Sequence, residues 1–124
     1  MATTEPHLAA KSATAPDEVR PFADKGHVDV VHLSSGDVGM ATFEPGWTWA
    51  ECVKPIAGTD SCRVHHVGYV VSGRMRIVMN DGTQAEVGAG DFFEIPPGHT
   101  AEVLGDEPCV QLGFEGVTEY ARPH

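Results

Sequence analysis

The chain is short of positive charge. Eight Lys and Arg stand against eighteen Asp and Glu, a formal net charge of −10. Nucleic acid and anionic membrane surfaces both need a basic patch, so neither is an expected partner. No apolar run approaches the length of a membrane span. Residues 1–20 lack the apolar core of a secretory leader. Cysteine is scarce as well: Cys52, Cys62 and Cys109 are an odd number without a compact spacing. That argues against a disulfide scaffold and for a reducing, cytoplasmic setting with free thiols or thiolate ligands. There is no Cys-x-x-Cys pair, no phosphate-binding glycine loop and no nucleophile elbow. Neither a convincing amphipathic helix nor an internal repeat is present.

What the chain does have is turn formers. Fourteen Gly and nine Pro among 124 residues imply many short strands in one domain. Alternation or β-branched content predicts strands at 28–33, 38–43, 47–54, 64–72, 74–79, 83–87 and 109–114. Residues 55–61 read as a loop. Asn80-Asp81-Gly82-Thr83 is the strongest hairpin signal, and Asp-Gly suits a two-residue primed turn. The run Gly90-Asp91-Phe92-Phe93-Glu94-Ile95-Pro96-Pro97-Gly98-His99 carries the most information. Its apolar strand must stop at two prolines that cannot donate to a ladder. Gly98 allows a tight turn, and a further strand resumes at 101–104. About eight strands in about 100 residues mean an all-β closed barrel or jelly roll. Residues 1–24 are expected to form a tail or arm, 25–118 the barrel and 119–124 a short tail.

Over roughly residues 27–115 the chain resembles the cupin superfamily. Gly90, Pro96 and Gly98 match that family's second motif, whose histidine position falls on Ala101. Gly46 opens the first motif, and Gly73 closes it. Cys52 and Lys54 stand at its two histidine positions and His66 at its glutamate position. The resemblance implies a double-stranded β-helix with a small-molecule pocket at the barrel mouth, and a homodimer using the N-terminal arm. It also implies oxygenase, isomerase, decarboxylase or lyase chemistry at a divalent metal.

The residues themselves offer a donor set. Cys62 and His66 are four apart and share a face in a regular strand. With Cys52, and with His99 from the corner, they are the expected metal ligands. Thiolate and imidazole favour zinc, with iron, nickel or manganese also open. Lys54, Trp49 and Tyr69 are the expected substrate contacts. Two other readings stand beside the metal enzyme. One is a metal-free module that binds or senses a small ligand. The other is a thiol catalyst or redox sensor built on Cys52 or Cys62, with His66 activating the thiolate.

Overall fold

The computed structural model describes residues 5–123. Nine strands form two antiparallel sheets. The strands are β1 (Glu18–Pro21), β2 (Gly26–Leu33), β3 (Gly36–Phe43), β4 (His66–Ser72), β5 (Arg74–Met79), β6 (Gln84–Gly88), β7 (Phe92–Ile95), β8 (His99–Leu104) and β9 (Cys109–Glu115). The larger sheet has the order β1-β2-β3-β9-β4-β7, and the smaller β6-β5-β8. Both feed one core. Val30 and Val70 from the larger sheet are fully buried and pack in the same cluster as Met75 and Ile77 from the smaller. The expected all-β jelly-roll barrel is therefore the observed architecture.

The segment 47–54 departs from expectation. It was expected as a strand, yet it holds helix α1 (Trp49–Cys52), followed by α2 (Lys54–Ala57). The cause is local and was written in the sequence. Thr48 caps the first turn by accepting from the Glu51 backbone N–H at 3.2 Å, and its hydroxyl donates to the Glu51 carboxylate at 3.2 Å. This is the Thr-x-x-Glu signature of a helix start. Pro55 sits in the first turn of α2, and Gly58 ends it in the left-handed region. Period-two alternation therefore does not set the directions of Cys52 and Lys54.

The 80–83 connection does join β5 to β6, but not by a two-residue primed turn. The Gly82 N–H donates to Met79 O at 2.9 Å, and the Met79 N–H to Thr83 O at 2.8 Å. Only Gly82 in this loop has positive φ. A type I′ turn needs that at both central residues, so the loop takes a longer form with one left-handed glycine.

The N-terminal segment contributes β1, which pairs along β2. Arg20 on β1 is buried and donates to Val117 O at 2.8 Å and to Tyr120 O at 2.7 Å. These bonds fasten the C-terminal segment, so Tyr120 and Ala121 enter the core. Residues 1–4 and 124 of the two expected tails lie outside the described residues. No helix among the described residues is long and apolar enough to cross a membrane.

Candidate metal centre

Cys62, His66 and His99 come together at one end of the barrel. One donor atom from each lies within 4.8 Å of the others. The backbone arranges two of them. Cys62 and His99 form an isolated antiparallel bridge, with the Cys62 N–H donating to His99 O at 2.7 Å. The Gly98 N–H also donates to Cys62 O at 2.7 Å. Gly98 has φ near 93° and turns the chain out of the Pro96-Pro97 stop and into β8. The corner that ends β7 thus delivers His99 to the cavity wall. His66 is the first residue of β4, and its ring centroid lies 5.3 Å from that of His99. The convergence of Cys62 with His66 has a different origin from the expected one. Residues 63–65 are not in a strand; it is the bridge to His99 that aims Cys62 inward.

The donor chemistry fits a metal. Cys62 Sγ and His66 Nε2 are 3.5 Å apart. A tetrahedral ion with bonds of 2.0–2.3 Å spaces its ligands about 3.3–3.7 Å from one another. Two of the three donors already have that separation. His99 Nδ1 lies 2.7 Å from Pro96 O, so it carries the proton and leaves Nε2 as the ligating atom.

Without a metal, burial governs all three. It pushes the Cys62 thiol up to about 11, against smaller opposing effects from the Val64 backbone N–H and the Trp49 indole. The indole faces the sulfur, yet its N–H makes no hydrogen bond of normal geometry. Burial also pulls His66 down to about 3, helped by His99 and His65 nearby. His99 falls for the same reason, while its bond to Pro96 O works against the fall. A neutral buried thiol is the opposite of the activated thiolate a thiol catalyst needs. The same thiol becomes a strong ligand once a cation displaces its proton.

The cluster opens on a cavity of about 60 Å³ lined by Trp47, Trp49, Met75, Ala101, Gln111 and Tyr120 among others. The other expected residues fall differently. Cys52 is buried on α1 but is not one of the three clustered donors. Lys54 is half-exposed and 3.8 Å from Asp60 at the surface, away from the cavity lining. Tyr69 packs its ring on Phe92, which is 77% exposed, and does not line the cavity. Of the three expected substrate contacts, only Trp49 lines it. Tyr120 lines it too, its ring 4.9 Å from that of His66, although the sequence placed it in a tail. Arg20, which holds its carbonyl, sits 100 residues away, and no motif links the two.

The cupin domain model matches residues 56–112. An RmlC-like cupin from Shewanella frigidimarina is 19% identical, with 82% of this chain and 86% of that chain covered and a TM-score of 0.52. The polyketide cyclase RemF from Streptomyces resistomycificus is 19% identical, with 86% and 78% covered and a TM-score of 0.60. Bacillus subtilis oxalate decarboxylase, in a structure concerned with its Mn(II) centres, is 25% identical with a TM-score of 0.52. There 85% of this chain covers 28% of the other, so this chain spans under a third of that enzyme. No curated protein matches. The family match over the stretch that holds all three donors, together with the barrel itself, identifies a cupin domain in this chain.

Proposed function

We propose that this cupin is a metal-dependent enzyme acting on small molecules, with Cys62, His66 and His99 holding one divalent ion. The carrying observation is the cluster of one sulfur and two imidazole donors within 4.8 Å. Three protein donors leave a coordination position open, as catalytic sites do and structural sites do not. One thiolate with two imidazoles favours zinc, then iron or nickel; manganese prefers harder oxygen donors. The Mn(II) centres of oxalate decarboxylase support a divalent ion in such barrels in general.

When bound, such an ion supplies a Lewis acid to a carbonyl or a water. The chain's own residues do the rest. The Pro96 carbonyl fixes which nitrogen of His99 is offered. Trp49 stands against Cys62 and favours the thiolate over the thiol. Phe43, Met75 and Val117 help make the cavity wall apolar and restrict water around the reacting group. Oxygenase, isomerase, decarboxylase and lyase chemistry are the reaction classes that the cupin resemblance implies for it.

The test is elemental analysis of protein purified without an affinity tag or chelator. Near-stoichiometric metal that is lost in both Cys62→Ala and His66→Ala supports the reading. No metal, even after reconstitution with zinc or iron, overturns it. A second reading rests on Ala101, which offers no donor at the usual ligand position, and on Cys52 and Lys54, which stand apart from the cluster. In that reading the barrel is a metal-free module for a small ligand, and metal content decides between the two. The expected homodimer is favoured by Phe92 and Phe114, 77% and 51% exposed on β7 and β9; sedimentation velocity tests it.

A further inference from the structure

Trp47 and Trp49 are each 1% exposed, and both line the cavity. The Trp47 indole N–H has no acceptor among the described residues, and that of Trp49 faces the Cys62 sulfur without a hydrogen bond of normal geometry. A buried donor without a partner is costly, and native structures rarely keep one. The rings themselves are held firmly. Trp47 packs edge-on against Phe43 at 4.6 Å and tilted on Phe22 at 5.7 Å. The Trp47 carbonyl accepts from the Val103 N–H at 2.9 Å, and Trp49 opens the capped helix α1. The two donors cannot turn outward to find water without breaking this packing. An acceptor oxygen inside the cavity, from water or from a ligand, would satisfy them.

The lining also limits what that something is. No Lys or Arg is present in it, and apolar side chains predominate. In the metal-free cavity a carboxylate would meet only neutral donors and the Glu115 side chain, and it is costly to bring out of water into such surroundings. The volume of about 60 Å³ has room for roughly four or five non-hydrogen atoms, since one water needs on the order of 10–15 Å³ on the same measure.

We propose that the cavity binds a small neutral carbonyl compound, such as a short ketone or aldehyde, whose oxygen accepts from the buried indole N–H groups of Trp47 and Trp49. This deepens the proposed function by naming the substrate class of the same pocket. It rests on that pocket being the binding site, and its test keeps the two apart.

The chain has two tryptophans, so its ¹H–¹⁵N spectrum carries two indole peaks, both reporting on this cavity. Acetone is the probe, with acetate as its charged counterpart of equal size. Each is titrated into zinc-loaded and into chelator-treated protein, with zinc content measured separately. Acetone should move both indole peaks downfield and saturate in the millimolar range in at least one of the two forms. Acetate should leave them in place in the chelator-treated protein. Trp47→Phe and Trp49→Phe each remove one peak and assign the pair. If either variant fails to fold, the wild-type titration still stands by itself. Saturation by acetone in protein that takes up no zinc keeps this inference and removes the metal reading. Zinc uptake with peaks unmoved by acetone removes this inference and keeps the metal; water alone then satisfies the indoles. Peaks moved by acetate rather than acetone in the chelator-treated protein overturn the neutral class.

Discussion

Acid should unfold the metal-free protein through His66. Its pKa is held near 3 by burial in the fold, against 6.5 when unfolded. Between those values the unfolded chain takes up a proton that the folded chain refuses. Stability contributed by this residue is therefore complete above pH 6.5 and drains away as pH falls. The slope approaches about 1.4 kcal/mol per pH unit, which gives a loss of about 2 kcal/mol between pH 7 and pH 5. His99, lowered by the same burial, acts in the same direction. His32 acts oppositely, because its bond to Asp37 raises its pKa and adds stability as it gains a proton. It is exposed, so solvent screens that effect. Most carboxylates titrate below this window, which leaves the histidines to dominate. The assay is urea unfolding of chelator-treated protein at several pH values between 7 and 5, on wild type and His66→Gln. The variant should lose about 2 kcal/mol less over that interval than wild type does, whatever its stability at pH 7. Equal pH dependence in the two proteins would refute the claim that His66 is held neutral by burial.

Other outcomes follow from the same geometry. Zinc uptake at pH 7 should release about one proton per ion, because Cys62 is a thiol with pKa about 11 while both imidazoles are already neutral. Calorimetry in two buffers of different ionisation enthalpy counts that proton; a count near zero means that Cys62 does not ligate. Arg20→Ala strips the donors from the Val117 and Tyr120 carbonyls and should cost about 2–3 kcal/mol in urea unfolding. Arg20→Lys should recover part of this loss. Ala101→His places a donor two residues along β8 from His99, on the same face, and both positions line the cavity. Zinc should bind at least tenfold more tightly to that variant in a competition titration with a chromophoric chelator.

The barrel was legible because its signals are strong and local. Glycines and prolines bound the strands, and the Pro96-Pro97-Gly98 corner falls where β7 gives way to β8. The segment 47–54 misled because period-two alternation over eight residues competed with a capping signal only four residues long. Thr48 and Glu51 won, since a cap satisfies backbone donors that an isolated strand there leaves without partners. The donors Cys62, His66 and His99 were nameable as residue types, but the bridge that joins the first to the last links positions 37 apart. No short-range pattern encodes such a pairing. Tyr120 was invisible for a similar reason: its burial depends on Arg20, across nearly the whole chain. Cys52, Lys54 and Tyr69 were drawn toward the pocket by family position or aromatic character, neither of which fixes the direction of a side chain.

The rung between Cys62 and His99 has a mechanical consequence. Cys62 lies on the approach to β4 in the larger sheet, while His99 is the first residue of β8 in the smaller. The seam between the two sheets is thus closed at this end by main-chain hydrogen bonds, with His66 beside it at the head of β4. An ion gripped by all three side chains would act as a rivet through that seam. Its removal should be felt in hydrogen exchange, with the amides of Cys62, Gly98 and His99 opening together while the β2–β3 ladder on the far side keeps its protection.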